Sequence, residues 1–257
     1  MKIALLLSGF PRNFKYTFPY FKKYVLEDLH PDIFYFGYND LANGTTTDDI
    51  LYRYKPKKYC IREASSEIDE EIWHAYGTRE MGRVKLDFER NGVLSSTQPH
   101  WILSQYYNLL KANELKKETE QEEGFKYDAV IRIRPDYFFY RNIELGELKN
   151  IKNNHVYIPP VWDFNGISDA FAYGDSATMD KYSEFFNHIK SYHLEHGCVF
   201  HPETLMGFHI SNGKQLTRVK IQNHFWFELS DFEVNGVSSS LINRGDVKRA
   251  RTRREFT

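Results

Sequence analysis

The sequence predicts an α/β fold in which helices flank a mixed, mostly parallel β-sheet, and three observations support this prediction. Ile3–Leu7 is a short apolar run of the kind that forms a buried strand. A helical pattern and a second run rich in β-forming residues, Asp32–Tyr38, follow it in the order of a strand–helix–strand unit. Runs typical of strands then recur at Asp128–Arg134 and Val156–Ile158, each near a further helical pattern.

The first predicted helix connects the first two strands. Its apolar residues recur at spacings of three and four, which places them on one helix face: Phe18, Phe21, Val25 and Leu29. Pro31 ends this helix, because proline lacks the amide hydrogen that a helix interior needs. Between residues 41 and 91 the pattern predicts one short strand, Lys58–Arg62.

A second helix is predicted over Trp101–Glu118, because Thr97 and Pro99 supply a polar start and a proline in the first turn. The charged stretch Lys116–Glu123 is expected to be the solvated end of this helix, and Gly124 its stop. The residues expected to face inward are Trp101, Ile102, Tyr106, Leu109 and Leu110.

Two further helices are predicted towards the C-terminus. The strand Val156–Ile158 is closed by Pro159 and Pro160, and Ser176–Leu194 then carries apolar residues at helical spacing, so one helix is expected there. The other would run to Ile210 with Glu203 in its first turn, and it belongs to the alternative in which Glu203 has a capping role. These elements complete an alternation of strands and helices that is typical of α/β proteins.

The composition excludes several classes of protein. The chain has 257 residues, with 34 Lys+Arg against 35 Asp+Glu, so wholesale nucleic-acid binding is not expected. Two cysteines are too few for a disulfide-stapled scaffold or a four-cysteine zinc site. No stretch is apolar for long enough to span a membrane, so the expected location is cytoplasmic. Phosphate-loop, dinucleotide-binding and nucleophile-elbow motifs are absent from the sequence, which argues against an ATPase, a dehydrogenase or an α/β-hydrolase.

Residues 244–257 form a basic segment. Six basic side chains stand against two acidic ones there, a net of +4, which leaves −5 on the other 243 residues. Such a segment is either a solvated end or a surface that contacts a diphosphate, anionic lipid or nucleic acid. The expected organisation is one α/β domain over residues 1–243 and a basic tail over 244–257, with peripheral membrane contact through the tail.

The strongest local signal for chemistry is the segment Tyr127–Asp136. Its apolar strand breaks at Pro135 and delivers Asp136 to the carboxyl end, where α/β folds bind ligands. Arg132 and Arg134 are two residues apart and therefore lie on one face of the strand. Carboxylates bind Mg²⁺ or Mn²⁺ and arginines pair with phosphate oxygens, so this set suits a metal-bound diphosphate. An internal Arg–Asp ion pair is the alternative that the residues leave open.

Four stretches in this order resemble the nucleotide-sugar glycosyltransferases of the GT-A type. Within that class, the chain resembles a group of small bacterial and large-virus enzymes that carry an Arg-x-Arg-Pro-Asp segment. The stretches are Leu7–Arg12, Tyr127–Asp136, Ser168–Gly174 and His201–Leu205. The resemblance implies a single-domain, Rossmann-related GT-A fold. It also implies transfer of a hexosyl or deoxyhexosyl group from a nucleoside-diphosphate sugar in polysaccharide biosynthesis.

The resemblance also implies which residues hold the donor: Ser8, Gly9, Arg12, Arg132, Arg134 and Asp136. The Gly9 turn would let the backbone approach the nucleotide closely. Asp136 would stand for the carboxylate of the Asp-x-Asp motif that holds Mn²⁺ or Mg²⁺, with His209 or His224 as a further metal ligand. Arg134 stands where the first Asp of that motif would be, a departure from the family pattern, and could itself neutralise the diphosphate.

On the acceptor side, Asp169 and Glu203 are the candidates for a catalytic base, because inverting transfer needs a group that takes the proton of the acceptor hydroxyl. Helix capping is the alternative role that the sequence leaves open for them. Trp162, Asp163 and Tyr173 are candidates for binding the acceptor sugar, since aromatic rings match the apolar faces of sugars. The expected donor is a UDP- or GDP-sugar, and the expected acceptor is a glycan or a lipid-linked glycan.

Two other functions compete with sugar transfer. Ser8–Arg12 is also similar to the phosphate loop of sulfotransferases, although Asn13-Phe14-Lys15 follows in place of the Ser/Thr-rich helix start of that family. A glycan- or nucleotide-binding module without catalysis is the non-enzyme alternative, and the missing first Asp favours it. Binding of UDP or GDP, as against adenosine bisphosphate, separates sugar transfer from sulfation.

Overall fold

A computed structural model of the protein describes residues 1–41, 44–63, 99–160, 166–221 and 227–229, together with residues 70, 72, 74 and 76. Five features singled out in the sequence lie outside the described residues: Thr97, Trp162, Asp163, His224 and the tail 244–257. The other predicted site residues all lie within them.

A sheet with seven strands among the described residues lies at the centre of the fold. Its strands are β1 (Ile3–Gly9), β2 (Asp32–Tyr38), β3 (Lys58–Arg62), β4 (Ala129–Ile133), β6 (His155–Ile158), β7 (Ala172–Gly174) and β8 (Thr217–Lys220). Their order is β3-β2-β1-β4-β7-β6-β8, and only β7 runs antiparallel to its neighbours in this sheet. Two further strands, β5 (Tyr137–Phe139) and β9 (Phe227–Leu229), form a separate antiparallel pair. The mixed, mostly parallel sheet confirms the predicted fold class.

Helices cover both faces of this sheet. One face is covered by α1 (Phe14–Phe21), α2 (Glu27–Leu29), α3 (Thr47–Tyr54) and α5 (Leu145–Leu148). The other face is covered by α4 (Pro99–Glu123), α6 (Ser176–Ser183), α7 (Phe186–Leu194) and α8 (Pro202–Phe208). Two π-helical segments, Lys22–Leu26 and His209–Gly213, follow α1 and α8. Within the described part of the chain, no helix has both the length and the apolar character that a membrane crossing requires.

The alternation of side chains along β1 explains why the sheet has a core on each face. Ala4 and Leu6 pack in the core beneath α4, whereas Leu5 and Leu7 pack in the core beneath α1, because successive side chains of a strand point to opposite faces. All four side chains are fully buried. The same alternation in β4 places Arg132 on the α4 face of the sheet, where this charged side chain is buried.

The first strand–helix–strand unit is confirmed. β2 and β3 have the predicted bounds, and β1 extends two residues further, to Gly9. The residues predicted to face inward on the connecting helix are buried: Phe18, Phe21, Val25 and Leu29. The helix ends at Leu29, and His30 then adopts a left-handed backbone conformation before Pro31.

For the long helix α4, one prediction is wrong and another is wrong in part. Trp101, expected to face inward, is 50% exposed. The charged end of the helix is exposed at Lys117, Glu118 and residues 121–123, as predicted, but the side chains of Lys116 and Glu120 are 0% exposed. They lie 3.2 Å apart, and the Lys116 ammonium also reaches Asp180 at 2.8 Å and Ser176 at 2.6 Å on α6. The other residues predicted to face inward are buried: Ile102, Tyr106, Leu109 and Leu110.

The stretch predicted as one helix over Ser176–Leu194 forms two helices. α6 ends at Ser183 and α7 begins at Phe186. Between them, the ring of Phe185 packs edge-on against Tyr106 of α4, with 4.4 Å between the ring centroids. This packing holds the break between the two helices against the core.

Candidate active site

The carboxyl ends of the parallel strands lie together at one edge of the sheet, where α/β folds bind ligands. β1 ends there at Gly9, β2 at Tyr38 and β4 at Ile133. β7 runs the other way, so its first residue, Ala172, lies at the same edge beside β4. We call this region the carboxyl edge. The predicted donor residues lie near the ends of β1 and β4, and Asp169 lies shortly before the start of β7.

The turn after β1 lies close against β2. Gly9 and Gly37 are partners in the sheet register, and a Cβ atom on Gly37 would lie 2.2 Å from the Gly9 carbonyl oxygen. Gly9 has a φ of 110°, a conformation that favours glycine. Ser8 is buried, and its Oγ has no hydrogen-bond partner among the described residues, whereas Arg12 is exposed. The three residues predicted at the nucleotide therefore lie at the carboxyl edge.

Arg134 and Asp136 form a two-point ion pair just beyond β4. Arg134 Nε donates to Asp136 Oδ1 at 3.0 Å, and Nη2 donates to Oδ2 at 2.7 Å. The side chain of Asp136 is 1% exposed and that of Arg134 is 19% exposed. Burial lowers the pKa of Arg134, but the charge of Asp136 raises it, and the net shift is upward. The internal ion pair that the sequence left open is therefore present.

Gln105 of α4 connects this ion pair to Asp169. Arg134 Nη1 donates to Gln105 Oε1 at 3.1 Å, and Gln105 Nε2 donates to Asp169 Oδ2 at 2.5 Å. The Tyr106 hydroxyl donates to the same carboxylate oxygen at 2.8 Å. Because two consecutive side chains of one helix hold Asp169, its carboxylate is fixed relative to the Arg134 guanidinium.

Arg132 lies in the interior, where it holds the backbone of the Asp169 loop. Its side chain is 0% exposed, and Nη1 donates to the carbonyl oxygen of Asp169. Nε and Nη2 of Arg132 are buried without a hydrogen-bond partner in the described part of the chain. Burial raises the pKa of nearby Tyr182 to about 12, and the positive charge of Arg132 opposes that shift. The contact with Asp169 brings Arg132 to the acceptor side of the predicted site.

Glu203, the second candidate base, lies in the first turn of α8. Its side chain is buried, and Oε2 lies 3.0 Å from Nδ1 of His201. Burial raises the pKa of Glu203 above its usual value; His201 opposes this shift, and the negative charge of Asp169 adds to it. The amide of Ile167 donates to the Glu203 carbonyl oxygen at 3.0 Å, which ties the Asp169 loop to α8. The two candidate bases are therefore close enough to influence each other.

Gly166 is required for this loop to pack against α8, and its replacement is expected to destabilise the protein. A Cβ atom on Gly166 would lie 2.1 Å from the Glu203 carbonyl oxygen. We expect Gly166→Ala to lower the free energy of unfolding by about 1–3 kcal/mol, because the clash forces a backbone shift. Urea unfolding measures this change. Gly146→Ala is the matched control, since a Cβ atom there meets nothing within 4 Å. An equal loss in both variants would contradict the expectation.

His209 lies in the core between α6 and α7. Its Nδ1 is 3.0 Å from the Tyr192 hydroxyl, and its Nε2 is 2.8 Å from the carbonyl oxygen of Lys181. The side chain is fully buried, so both ring nitrogens are occupied by protein partners. Burial lowers the pKa of His209 to about 3.

The described residues of the predicted metal site do not fit a divalent cation. Both carboxylate oxygens of Asp136 accept hydrogen bonds from Arg134, and both ring nitrogens of His209 are engaged in the core. No group of three His, Cys, Asp or Glu side chains that could hold a metal ion occurs among the described residues. His224, the other predicted ligand, lies outside them.

The buried imidazole of His209 predicts a loss of stability in acid. Its pKa in the folded protein, about 3, lies below the usual 6.5, so the folded state binds fewer protons between these values. Stability is therefore full above about pH 6.5 and falls as the pH is lowered, by about 2 kcal/mol at pH 5. Urea unfolding at pH 7 and pH 5 measures this loss. His209→Gln should show a smaller loss than the native protein, and an identical loss would contradict the assignment.

Tyr173, predicted to bind the acceptor sugar, lies in the core. Its ring stacks on Tyr157 with 4.7 Å between centroids and 4° between the ring planes, and its hydroxyl donates to Glu147 at 3.5 Å. The side chain is buried in strand β7. Of the predicted site residues, Tyr173 and His209 thus pack in the core, whereas Arg134, Asp136 and Asp169 meet at the carboxyl edge.

An aromatic group beside the β1 turn was not predicted from the sequence. Phe10 stacks on Tyr38, with 5.0 Å between the ring centroids and 27° between the planes. The guanidinium carbon of Arg62 lies 5.6 Å from the centroid of the Tyr38 ring. The Tyr38 hydroxyl lies 3.1 Å from Ser104 Oγ of α4. Tyr38 ends a predicted strand, but only the sheet register reveals that it meets Phe10.

Comparisons with known proteins give limited matches. A model of a domain of unknown function (DUF7796) matches residues 78–187, which is less than half of the chain. A search of curated proteins finds no match. Among solved structures, the chain is similar to apo mouse xyloside xylosyltransferase 1, with 8% sequence identity and a TM-score of 0.44 over 86% of this chain and 84% of that chain. A similarity of this extent identifies neither an activity nor a substrate.

Proposed function

We propose that the protein is a glycosyltransferase that moves a sugar from a nucleoside-diphosphate donor to a hydroxyl of a glycan or glycolipid. The observation that carries this proposal is the hydrogen-bond chain Arg134–Gln105–Asp169 at the carboxyl edge. Sugar transfer with inversion uses positive charge at the leaving diphosphate and a carboxylate base at the acceptor hydroxyl, on either side of one sugar. A guanidinium and a carboxylate joined through one glutamine side chain match this requirement.

The donor nucleotide is proposed to bind at the turn after β1. Gly9 leaves room for close approach to the backbone, and the half-buried ring of Phe10, which stacks on the buried Tyr38, offers a surface for a nucleobase. The Ser8 hydroxyl at this turn has no hydrogen-bond partner among the described residues, and the exposed Arg12 can meet a phosphate. The resemblance of the sequence to GT-A glycosyltransferases adds the donor class that we propose, a UDP- or GDP-sugar of the hexose or deoxyhexose type.

Asp169 is proposed as the catalytic base. The acceptor oxygen bonds to the anomeric carbon while its proton passes to the Asp169 carboxylate. The bond between the anomeric carbon and the diphosphate oxygen breaks, and the nucleoside diphosphate leaves with the electron pair. Gln105 and Tyr106 hold the carboxylate for this step. Asp169 is favoured over Glu203 because it is the more exposed of the two.

The acceptor is proposed to be a glycan or a lipid-linked glycan. Trp162 and Asp163 remain the proposed acceptor contacts, and the basic tail 244–257 remains a proposed contact with anionic membrane lipid. Both proposals rest on the sequence, where an aromatic ring beside a carboxylate suits a sugar and clustered arginines suit a lipid headgroup.

Nucleotide binding tests the proposed donor class. We expect UDP or GDP to raise the melting temperature in a thermal-shift measurement, because a ligand at about 100 times its Kd stabilises the folded state by about 2.7 kcal/mol. Adenosine 3′,5′-bisphosphate is the comparison ligand, since sulfotransferases release it. Stabilisation by that nucleotide alone would overturn the proposal and favour sulfation.

A further inference from the structure

In the Arg134–Asp136 pair, the positively charged arginine is the side chain that is exposed to solvent. Asp136 is almost completely buried, whereas the Arg134 side chain remains 19% exposed. A ligand that enters the carboxyl edge at this pair would meet the guanidinium before the carboxylate. Such a ligand is expected to be an anion.

Arg134 also keeps hydrogen-bond donors beyond those used within the described residues. A guanidinium has five N–H groups. Nε and Nη2 each donate to Asp136, and Nη1 donates to Gln105, which accounts for three of them. One N–H on each terminal nitrogen is left, a number that suits two phosphate oxygens. Asp136 and Gln105 fix the plane of the guanidinium while these two donors remain.

A divalent cation at this site would need accessible carboxylate oxygens, whereas the accessible group is a guanidinium. Mn²⁺ and Mg²⁺ bind through carboxylate oxygens, but both oxygens of Asp136 are already bonded to Arg134. To bind a cation, Asp136 would have to give up two charge-assisted hydrogen bonds and bring two like charges, the cation and Arg134, together.

We infer that Arg134, oriented by Asp136, binds the diphosphate of the donor directly and takes the place of a divalent cation. This inference rests on the proposed function, since it concerns the donor of that reaction. Arginine supplies a fixed positive charge and paired donors that match phosphate geometry. Asp136 is then a positioning residue: it orients the guanidinium and does not itself touch the donor.

Calorimetric titration of nucleotides in EDTA tests this inference. The probes are UDP against UMP and GDP against GMP, because the second phosphate is the group that Arg134 would bind. For the intact protein in EDTA, we expect the diphosphate to bind about tenfold or more tightly than the monophosphate. Arg134→Gln should reduce that ratio to near one, and Arg134→Lys should give an intermediate ratio, since lysine keeps the charge and loses the fork.

Arg141→Gln is the matched control, because Arg141 is exposed and lies outside the ion pair. It should keep the full diphosphate preference. The inference is overturned if the preference appears only when Mn²⁺ is added, or if Arg134→Gln and Arg134→Lys, shown to be folded by their melting temperatures, both retain it. The proposed function would survive either of those results. If none of the four nucleotides binds with or without Mn²⁺, the proposed donor class itself is wrong and the inference falls with it.

Discussion

Replacing Asp169 by asparagine is expected to lower the rate of sugar transfer by about 10²–10⁴-fold, the range measured for loss of a general base. The amide keeps the size of the side chain and can still accept the hydrogen bonds from Gln105 and Tyr106. It cannot take a proton from the acceptor hydroxyl. The binding of UDP or GDP should therefore stay within about twofold of the native value, so the loss lies in turnover.

Asp128→Asn is the matched control for this prediction. Asp128 is exposed and lies at the opposite end of β4, where its carboxylate accepts a hydrogen bond from the amide of Lys2. We expect this variant to keep the native rate. Release of nucleoside diphosphate, followed by chromatography, measures both variants. If Asp169→Asn kept the native rate while Glu203→Gln lost it, the roles proposed for the two carboxylates would have to be exchanged.

Replacing Lys116 by methionine is expected to lower the free energy of unfolding by about 3–5 kcal/mol, because it leaves buried negative charge without its partner. The Lys116 ammonium lies 3.2 Å from Glu120 and 2.8 Å from Asp180, and it is completely buried. Glu120 would keep Lys126 at 2.7 Å and Ser176 at 2.5 Å. Because those contacts remain in the variant, we expect the free energy of unfolding to fall by an amount near the lower end of that range, about 3 kcal/mol.

Lys117→Met provides the control for that prediction. Lys117 is the next residue of α4 and is exposed, so the same substitution removes a solvated charge. We expect its free energy of unfolding to stay within about 0.5 kcal/mol of the native value. Urea unfolding compares the two variants. Equal values would show that the buried ion pair contributes no more to stability than a surface charge.

The parts of the fold that depend on local pattern could be predicted from the sequence. The apolar run of β1 and the β-forming run of β2 gave correct strands, since a buried parallel strand needs only a short apolar segment between turn residues. The segment around Asp136 was also placed correctly at a strand end. The role of Asp136 could not be decided between a metal ligand and a member of an ion pair, because a sequence does not show which partner a carboxylate faces.

The parts that depend on contacts distant in the sequence could not be predicted. Gln105 and Tyr106 contact Asp169 across more than 60 residues, and a glutamine in a helix carries no signal of such a role. Lys116 was expected to be solvated because charged helix ends usually are, but its partner on α6 lies 64 residues away. Tyr173 was expected at a sugar because it neighbours Asp169 in the sequence, yet strand geometry turns its ring into the core.

The helix α4 carries both the residues that contact Asp169 and the buried ion pair. It has 25 residues and is therefore about 37 Å long, enough to run from one end of the sheet to the other. Gln105 and Tyr106 lie in its second turn, at the carboxyl edge, whereas Lys116 and Glu120 lie near its other end. The buried ion pair anchors the helix that holds Asp169.

The most direct test of the central claim is a measurement of nucleoside diphosphate released from a panel of UDP- and GDP-sugars, with mixed glycosides as acceptors. The account predicts release from at least one sugar nucleotide, and loss of that release in Asp169→Asn. Binding of UDP or GDP without release from any donor would contradict it. That result would identify the chain as a nucleotide-binding module without catalysis.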